Sequence, residues 1–177
     1  TMRKIILFLM AFILSCADIS VKSTVEVNTE DKNQETFMKN VNIFKKFPEG
    51  MSTRDLELSM SIFADSLKWY GPDQKTSDLY ASKTDLRTAL QGYMSMYNSS
   101  SFKNDIYYGG NLYSSNDDVS SSPNGIRIYG DWHHTHIESG VEVSHKWMAI
   151  ARLNRDGEIY QFVDYFDVGG FLSQHDK

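Results

Sequence analysis

The sequence predicts a single α+β domain in which helices come first and a curved antiparallel sheet packs on them. Apolar residues recur at intervals of three or four between residues 35 and 97, which indicates helices. After residue 98, β-prone aromatic segments alternate with glycine-containing turns, which indicates strands. With 41% hydrophobic and 13% aromatic residues the chain can bury a core, so we expect a folded domain over residues 35–177.

Three helices are predicted. The first begins near Glu35 and ends at the Pro48-Glu49-Gly50 segment, and its apolar face consists of Phe37, Val41, Phe44 and Phe47. The second follows Ser52-Thr53 and buries Leu56, Met60 and Phe63. The third starts at Ser82 or Thr84 and its apolar stripe consists of Leu86, Leu90, Tyr93, Met94 and Tyr97. Residues 66–70 are a short strand candidate between the second and third helices.

The strands that follow are longer. Residues 106–113 are predicted to form a bent strand, and three further strands are expected at 125–138, 141–153 and 158–167. If Ser139-Gly140 is a two-residue turn, Glu138 pairs with Val141, which sets His134 opposite His145. Across the Asp156-Gly157 turn, the residue numbers of two cross-strand partners add up to an odd number, so an even-numbered residue pairs with an odd-numbered one. Cross-strand partners point to the same side of a sheet, which places Tyr160, Phe162, Asp164 and Phe166 on the face of His145 and Trp147.

One face of the predicted sheet is therefore aromatic with a few polar groups: Trp132, His134, His136, His145, Trp147, Phe162 and Asp164. Such a surface is typical of a small-molecule pocket, and we expect a small apolar or aromatic ligand. The opposite face carries a mixed set of residues and is compatible with solvent or with the second copy of a homodimer. No metal and no organic cofactor is expected.

Three segments resemble the nuclear transport factor 2-like (SnoaL-like) superfamily. They are residues 156–167, which resemble its last strand, residues 62–72, which resemble its helix-to-strand entry, and the aromatic strand that ends at Ser139-Gly140. The resemblance covers residues 37–175 and implies a cone with a pocket between sheet and helices. Members include isomerases, cyclases, hydrolases and dehydratases, and many bind ligands or only dimerise.

The same resemblance bears on the chemistry of the pocket. Asp164 matches the aspartate of the last strand, while Trp69 and Gly71 stand where the epoxide hydrolases carry a tyrosine and an asparagine. Trp132 and His134 replace their Arg-x-Asp pair. Most of the hydrolase set is missing, so epoxide hydrolysis is not expected.

The candidate catalytic residues are Asp164, as a general base with a raised pKa, and its partner His134. The alternative is a buried aspartate that only hydrogen-bonds a neighbour. The candidate ligand-binding residues are Trp69, Trp132, His136, His145, Trp147 and Phe162, and for the tryptophans the alternative is core packing. A three-histidine zinc site at His134, His136 and His145 is a further alternative.

The N-terminus predicts a lipoprotein. Arg3-Lys4 precedes the apolar run 5–14, and residues 13–16 (ILSC) resemble a bacterial lipobox, so residues 1–15 are predicted to be a signal peptide. Cys16, the single cysteine, would carry the lipid, and residues 16–34 would form a flexible tether to the membrane. The alternative is an ordinary secretory signal.

The expected location is the bacterial cell envelope, at the outer membrane or periplasmic face. A net charge of −5 without a basic stripe argues against nucleic-acid binding. Our first functional hypothesis is an envelope-anchored, non-catalytic ligand-binding lipoprotein. The alternatives are an isomerase, cyclase or dehydratase with an Asp164–His134 acid–base pair, and an interaction module with a filled cone.

Overall fold

The computed structural model describes residues 29–76, 78–109 and 122–176, so the predicted signal peptide and Cys16 lie outside the described residues, as do the last residues of the strand predicted at 106–113. The elements in chain order are α1 (Thr29–Phe44), α2 (Lys46–Thr53), α3 (Leu56–Met60), β1 (Phe63–Tyr70), α4 (Lys83–Met96), β2 (Tyr97–Tyr108), β3 (Gly125–His136), β4 (Glu142–Leu153), β5 (Ile159–Tyr165) and α5 (Val168–Leu172). A 3₁₀ turn, Ser173–Asp176, follows α5.

The five described strands form one curved, open sheet with the order β1-β5-β4-β3-β2. Strands β2 to β5 are antiparallel neighbours, which confirms the predicted α+β class with helices packed on the sheet. Strand β1 differs from the prediction of an antiparallel sheet, because it lies parallel to β5 at the edge. The chain leaves β1 through α4 and returns at the far edge, so β1 meets the last strand of the meander.

The first helices run further than predicted. Helix α1 begins at Thr29, inside the segment expected to be a tether, and helix α2 continues through Pro48 to Thr53. Pro48 is the third residue of α2 and lies in its first turn, where no intrahelical N–H bond is required, so it does not end a helix. Asp55 then caps α3 by accepting a hydrogen bond from the Leu58 amide.

Helix α4 has the predicted start. The Ser82 hydroxyl accepts from the Asp85 amide while the Asp85 carboxylate accepts from the Ser82 amide, a capping box that satisfies two N-terminal donors. The helix ends at Met96, and Tyr97 already belongs to β2, nine residues before the predicted strand start. Asn98 and Ser99 at the beginning of β2, an edge strand, are exposed, and the polar run 98–101 lacks the apolar alternation that indicates a strand.

The predicted register of the β3–β4 hairpin is wrong by two residues. His136 pairs with Val141, and Trp132 rather than His134 lies opposite His145. The connection is a four-residue loop, 137–140, in which Gly140 adopts a φ of +70°. Because a shift of two residues preserves the alternation of side chains, Trp132, His134, His145 and Trp147 still share one face.

Across the β4–β5 turn the predicted face holds for Phe162 and Asp164. Ala149 pairs with Asp164 and Ala151 with Phe162, so both face the helices. The prediction for Tyr160 is wrong, because the register shifts between Arg152 and Leu153. Ile159 is therefore buried while Tyr160 is exposed.

The main core lies between the inner face of the sheet and helices α1, α2 and α4. Gly130 on β3 makes room for it: a Cβ there would lie 2.3 Å from the ring of Phe102, which crosses β3 and packs edge-on against Trp147. None of the helices among the described residues is both long and apolar enough to span a bilayer. The open part of the interior is the cavity described next.

Candidate ligand-binding site

A cavity of about 230 Å³ opens between the inner face of the sheet, helices α2 and α4, and the start of α5. It is smaller than the roughly 300–1,000 Å³ of drug-sized ligand sites and larger than the roughly 150 Å³ that holds benzene, so it fits a compound of one or two rings. Its wall includes seven aromatic residues: Phe47, Trp69, Tyr93, Trp132, Trp147, Phe162 and Phe166.

Asp164 is the buried charged group of this wall, with 8% of its surface exposed. It lies on β5 between two tryptophans: Trp69 Nε1 donates to Oδ1 over 2.8 Å, and Trp147 Nε1 donates to Oδ2 over 3.2 Å. The parallel β1–β5 pairing and the antiparallel β4–β5 pairing bring these two indoles to the same carboxylate. Burial raises the pKa of Asp164 to about 6, and the two indole N–H groups limit that rise.

His134 forms a second polar position in the wall and is 4% exposed. Its Nδ1 lies 2.9 Å from Ser100 Oγ on β2, whereas its Nε2 is buried without a hydrogen-bond partner among the described residues. The ring is stacked against Trp132, with centroids 5.7 Å apart. Burial lowers the pKa of His134 to about 4, with a smaller contribution from His145, so the imidazole is neutral at pH 7.

His145 lies next to His134, with ring centroids 5.6 Å apart. It is stacked on Phe166 at 4.3 Å and meets the edge of Phe171 at 4.7 Å, so α5 covers this part of the cavity. Burial lowers its pKa to about 4, and its Nδ1 has no partner in the described part of the chain. Each histidine thus keeps one buried nitrogen that has no hydrogen-bond partner among the described residues.

The structure brings together all but one of the residues predicted for the site. Asp164, His134, Trp69, Trp132, His145, Trp147 and Phe162 all line the cavity. His136 does not: its Nδ1 lies 3.0 Å from Ser139 Oγ, and its ring packs against His175 outside the cavity. Within the described ranges no three His, Cys, Asp or Glu side chains are placed to hold a metal ion, so the histidine trio of the zinc alternative is not assembled.

The predicted acid–base pair is not a hydrogen-bonded pair. Both carboxylate oxygens of Asp164 accept from indoles, and the hydrogen bond of His134 goes to Ser100. Asp167 accepts a hydrogen bond from the Gly170 amide and caps α5. That cap positions the helix that covers His145.

The chain matches no protein-family model and no curated protein. Solved structures do resemble it. A candidate polyketide cyclase from Xanthomonas campestris pv. campestris is 13% identical, with a TM-score of 0.59 over 80% of this chain and 98% of that one. An NTF2-like protein of unknown function from Burkholderia pseudomallei is 17% identical, with a TM-score of 0.56 over 78% and 96%. A phenazine biosynthesis-related protein from Pseudomonas aeruginosa is 14% identical, with a TM-score of 0.58 over 82% and 90%.

The chain has the nuclear transport factor 2-like fold. With sequence identities of 13–17%, the structural similarity establishes the arrangement of helices and sheet. The cavity occupies the place expected for a nuclear transport factor 2-like pocket, between the sheet and the helices.

Several wall residues of this nuclear transport factor 2-like pocket escaped the sequence prediction. Phe47, Leu90 and Tyr93 were expected in helical core stripes, and they do lie on those stripes, but at positions where the core is open. Asp73, in the turn after β1, lies at the cavity without a periodic pattern to indicate it. A tertiary arrangement is needed to find such residues, since their spacing is that of ordinary core or loop.

Proposed function

We propose that this protein binds a small aromatic ligand in the cavity between sheet and helices, without catalysing a reaction on it. The observation that carries the proposal is a largely apolar cavity into which three polar side chains converge: Asp164, His134 and His145. Sites for small molecules combine apolar walls with a few placed polar groups.

The hydrogen bonding of Asp164 favours binding over catalysis. The two indole N–H groups that donate to Asp164 stabilise its ionised form and so weaken it as a general base. His134 lacks a carboxylate partner that would tune it as a proton carrier, and Ser100 fixes its ring instead.

The test is mass spectrometry of small molecules released from the purified full chain, compared with a variant whose cavity is filled, Ala89→Phe. Ala89 lies on α4 in the cavity wall and is half-buried, so a larger ring there occupies the space that a ligand needs. We expect a compound that co-purifies with the wild type and is absent from the variant. An identical set of released compounds from both proteins would contradict the proposal.

A second candidate is an enzyme of the isomerase, cyclase or dehydratase kind. One observation favours it: burial raises the pKa of Asp164 to about 6, close to the range in which a carboxyl exchanges protons at neutral pH. If the co-purified ligand is converted when incubated with fresh protein, and Asp164→Asn stops the conversion while ligand still binds, catalysis replaces simple binding.

We also propose that the protein is anchored to the cell envelope through a lipid on Cys16. The support is the sequence alone: Arg3-Lys4, the apolar run 5–14 and the lipobox-like residues 13–16. Because Cys16 is the single cysteine, Cys16→Ala removes the one thiol that could be acylated. We expect the variant to move from the membrane to the soluble fraction and to lose incorporation of a labelled fatty acid. Retention of the variant in membranes would contradict the anchor.

We further propose a homodimer through the outer face of the sheet. The paired register sets Ile106, Tyr129, Met148 and Tyr165 side by side across β2, β3, β4 and β5, and three of the four are exposed hydrophobic residues. We expect the wild type to sediment as a dimer and Tyr129→Glu as a monomer, with Glu158→Lys in the β4–β5 turn unchanged. A monomeric wild type would contradict the proposal.

A further inference from the structure

The charges around the cavity are of one sign. Its described wall includes two carboxylates, Asp73 and Asp164, and no Lys or Arg. A cavity built in this way repels anions and favours cations.

Asp164 carries its charge without a basic partner. In the described part of the chain it takes part in no ion pair, and the two groups that contact its oxygens are neutral indoles. The other charge that acts on it is Asp73, which raises its pKa beyond what burial does. A buried carboxylate without a counter-ion is costly, and a positive group placed beside it relieves that cost.

The histidines do not supply the missing positive charge. His134 is 4% exposed and its Nε2 is buried without a hydrogen-bond partner among the described residues, and burial lowers the pKa of both His134 and His145 to about 4. Neutral imidazoles can accept a hydrogen bond from a ligand, but they leave the negative charge of Asp164 in place at neutral pH.

The aromatic wall adds a second attraction for a cation. Trp69, Trp132 and Trp147 all line the cavity, and the face of an indole is the strongest cation–π surface among side chains. Trp132 and Trp147 are each 5% exposed, with their faces stacked on neighbouring rings, whereas Trp69 is half-buried and is the indole with the largest accessible surface at the cavity. Because Trp69 also lies beside the Asp164 carboxylate, the pair suits an ammonium group with carbon substituents.

We propose that the cavity selects a small organic cation, with its ammonium group among the indole rings and Asp164 as its counter-ion. The inference rests on the proposed ligand-binding function and names its ligand class. The ring or alkyl part of the ligand lies against the apolar wall, and the volume of about 230 Å³ limits it to one or two rings.

Three probes of matched shape test the inference: phenyltrimethylammonium, neutral tert-butylbenzene and anionic benzenesulfonate. Each has one ring and one tetrahedral head, and they differ in charge. All three tryptophans of the chain line the cavity, so quenching of tryptophan fluorescence in the purified full chain reports occupancy. We expect the cation to bind about tenfold more tightly than tert-butylbenzene at pH 7.5, and the anion not to saturate.

Two variants locate the origin of the preference. Asp164→Asn should reduce the affinity for the cation to that for tert-butylbenzene, and Asp73→Asn, at an exposed position, should reduce the preference for the cation in part. Tight binding of tert-butylbenzene with equal or weaker binding of the cation would overturn charge selection while leaving a ligand site. Absence of saturable binding by every probe would overturn the ligand-binding function as well.

Discussion

The two polar ends of the cavity respond to burial in the same way but are bonded differently. Asp164 accepts a hydrogen bond on each oxygen, whereas His134 and His145 each keep a buried nitrogen without a partner in the described part of the chain. In both places burial shifts the pKa toward the uncharged form, upward for the carboxyl and downward for the imidazoles. The difference shows that the pKa shifts report burial, while the hydrogen bonds fix the orientation of the Asp164 carboxylate and hold it close to its ionised form.

The largest expected effect comes from removing an indole at the Asp164 end. Trp147 is 5% exposed, packs against Phe44, Phe47 and Phe162, and donates to Asp164. Trp147→Ala should lower the free energy of unfolding by about 3–5 kcal/mol through the cavity it leaves. Trp147→Phe keeps most of the packing and loses the N–H group, so it should cost about 1–3 kcal/mol. Urea unfolding of both variants separates packing from hydrogen bonding, and equal losses would contradict the importance of packing.

A second test compares how the histidine end and the Asp164 end of the cavity change the stability of the protein with pH. In the unfolded chain His134 and His145 take up protons near their ordinary pKa of 6.5, but in the folded protein their pKa is about 4. Between these values the unfolded state binds more protons, so stability falls as the pH falls from 7 to 5, by about 2 kcal/mol for the buried His134 and by less for His145, whose partial exposure screens the effect. The raised pKa of Asp164 acts in the opposite direction, because as the pH falls its carboxyl takes up a proton at a higher pH in the folded protein than in the unfolded chain. This increases the free energy of unfolding by about 1 kcal/mol over the same interval.

His134→Phe removes one of the two acid-sensitive groups while keeping a ring against Trp132. We expect the wild type to lose stability between pH 7 and pH 5, and the variant to lose about 2 kcal/mol less. Urea unfolding at the two pH values measures the difference. Parallel pH dependence of the two proteins would show that His134 is not buried as a neutral imidazole.

A third test addresses the hydrogen bonds of Asp164. Trp69→Phe removes the 2.8 Å hydrogen bond to Oδ1, a bond that favours the ionised carboxylate. The pKa of Asp164 should therefore rise further above its ordinary value, which the carboxyl carbon resonance measures by NMR. Above that pKa the variant should lose about 1.5 kcal/mol of stability, and less at pH 5, where the carboxyl is protonated in both proteins. Tyr70→Phe, on the neighbouring residue of β1 outside the cavity wall, should leave the resonance unchanged.

Much of the sheet could be predicted because its strands alternate regularly between inward and outward residues. Strands β3, β4 and β5 begin and end within three residues of their predicted limits, and the shared inner face survived an error of two residues in the hairpin register. The prediction failed where tertiary context decides. Tyr160 turns outward at a bulge in the β4–β5 pairing, and the polar start of β2 becomes a strand through its partner β3.

The candidate site was predictable in its composition but not in its bonding. The sequence places Trp132, His134, His145 and Asp164 on one face of the sheet, because that assignment needs only to know whether paired residue numbers are odd or even. The Trp69–Asp164 hydrogen bond depends on the parallel β1–β5 pairing across a long stretch of chain, which local pattern does not indicate. His136 is two residues from His134 and was therefore predicted on the same face, but it lies beyond the end of the cavity. Alternation along a strand indicates the face of a residue and not how far along the strand the cavity extends.

The smallest expected effect concerns the helix that covers the histidine end. The Asp167 carboxylate caps α5, and Phe171 of that helix packs against His145. Asp167→Ala should cost about 1 kcal/mol, as should Asp55→Ala, which removes the equivalent cap from α3. The two variants differ in place: only Asp167→Ala should speed amide hydrogen exchange in α5 and shift the ring resonances of His145. If both caps leave His145 unchanged, α5 does not control this end of the cavity, and the unpartnered histidine nitrogens are closed off by the sheet and helix α4 instead.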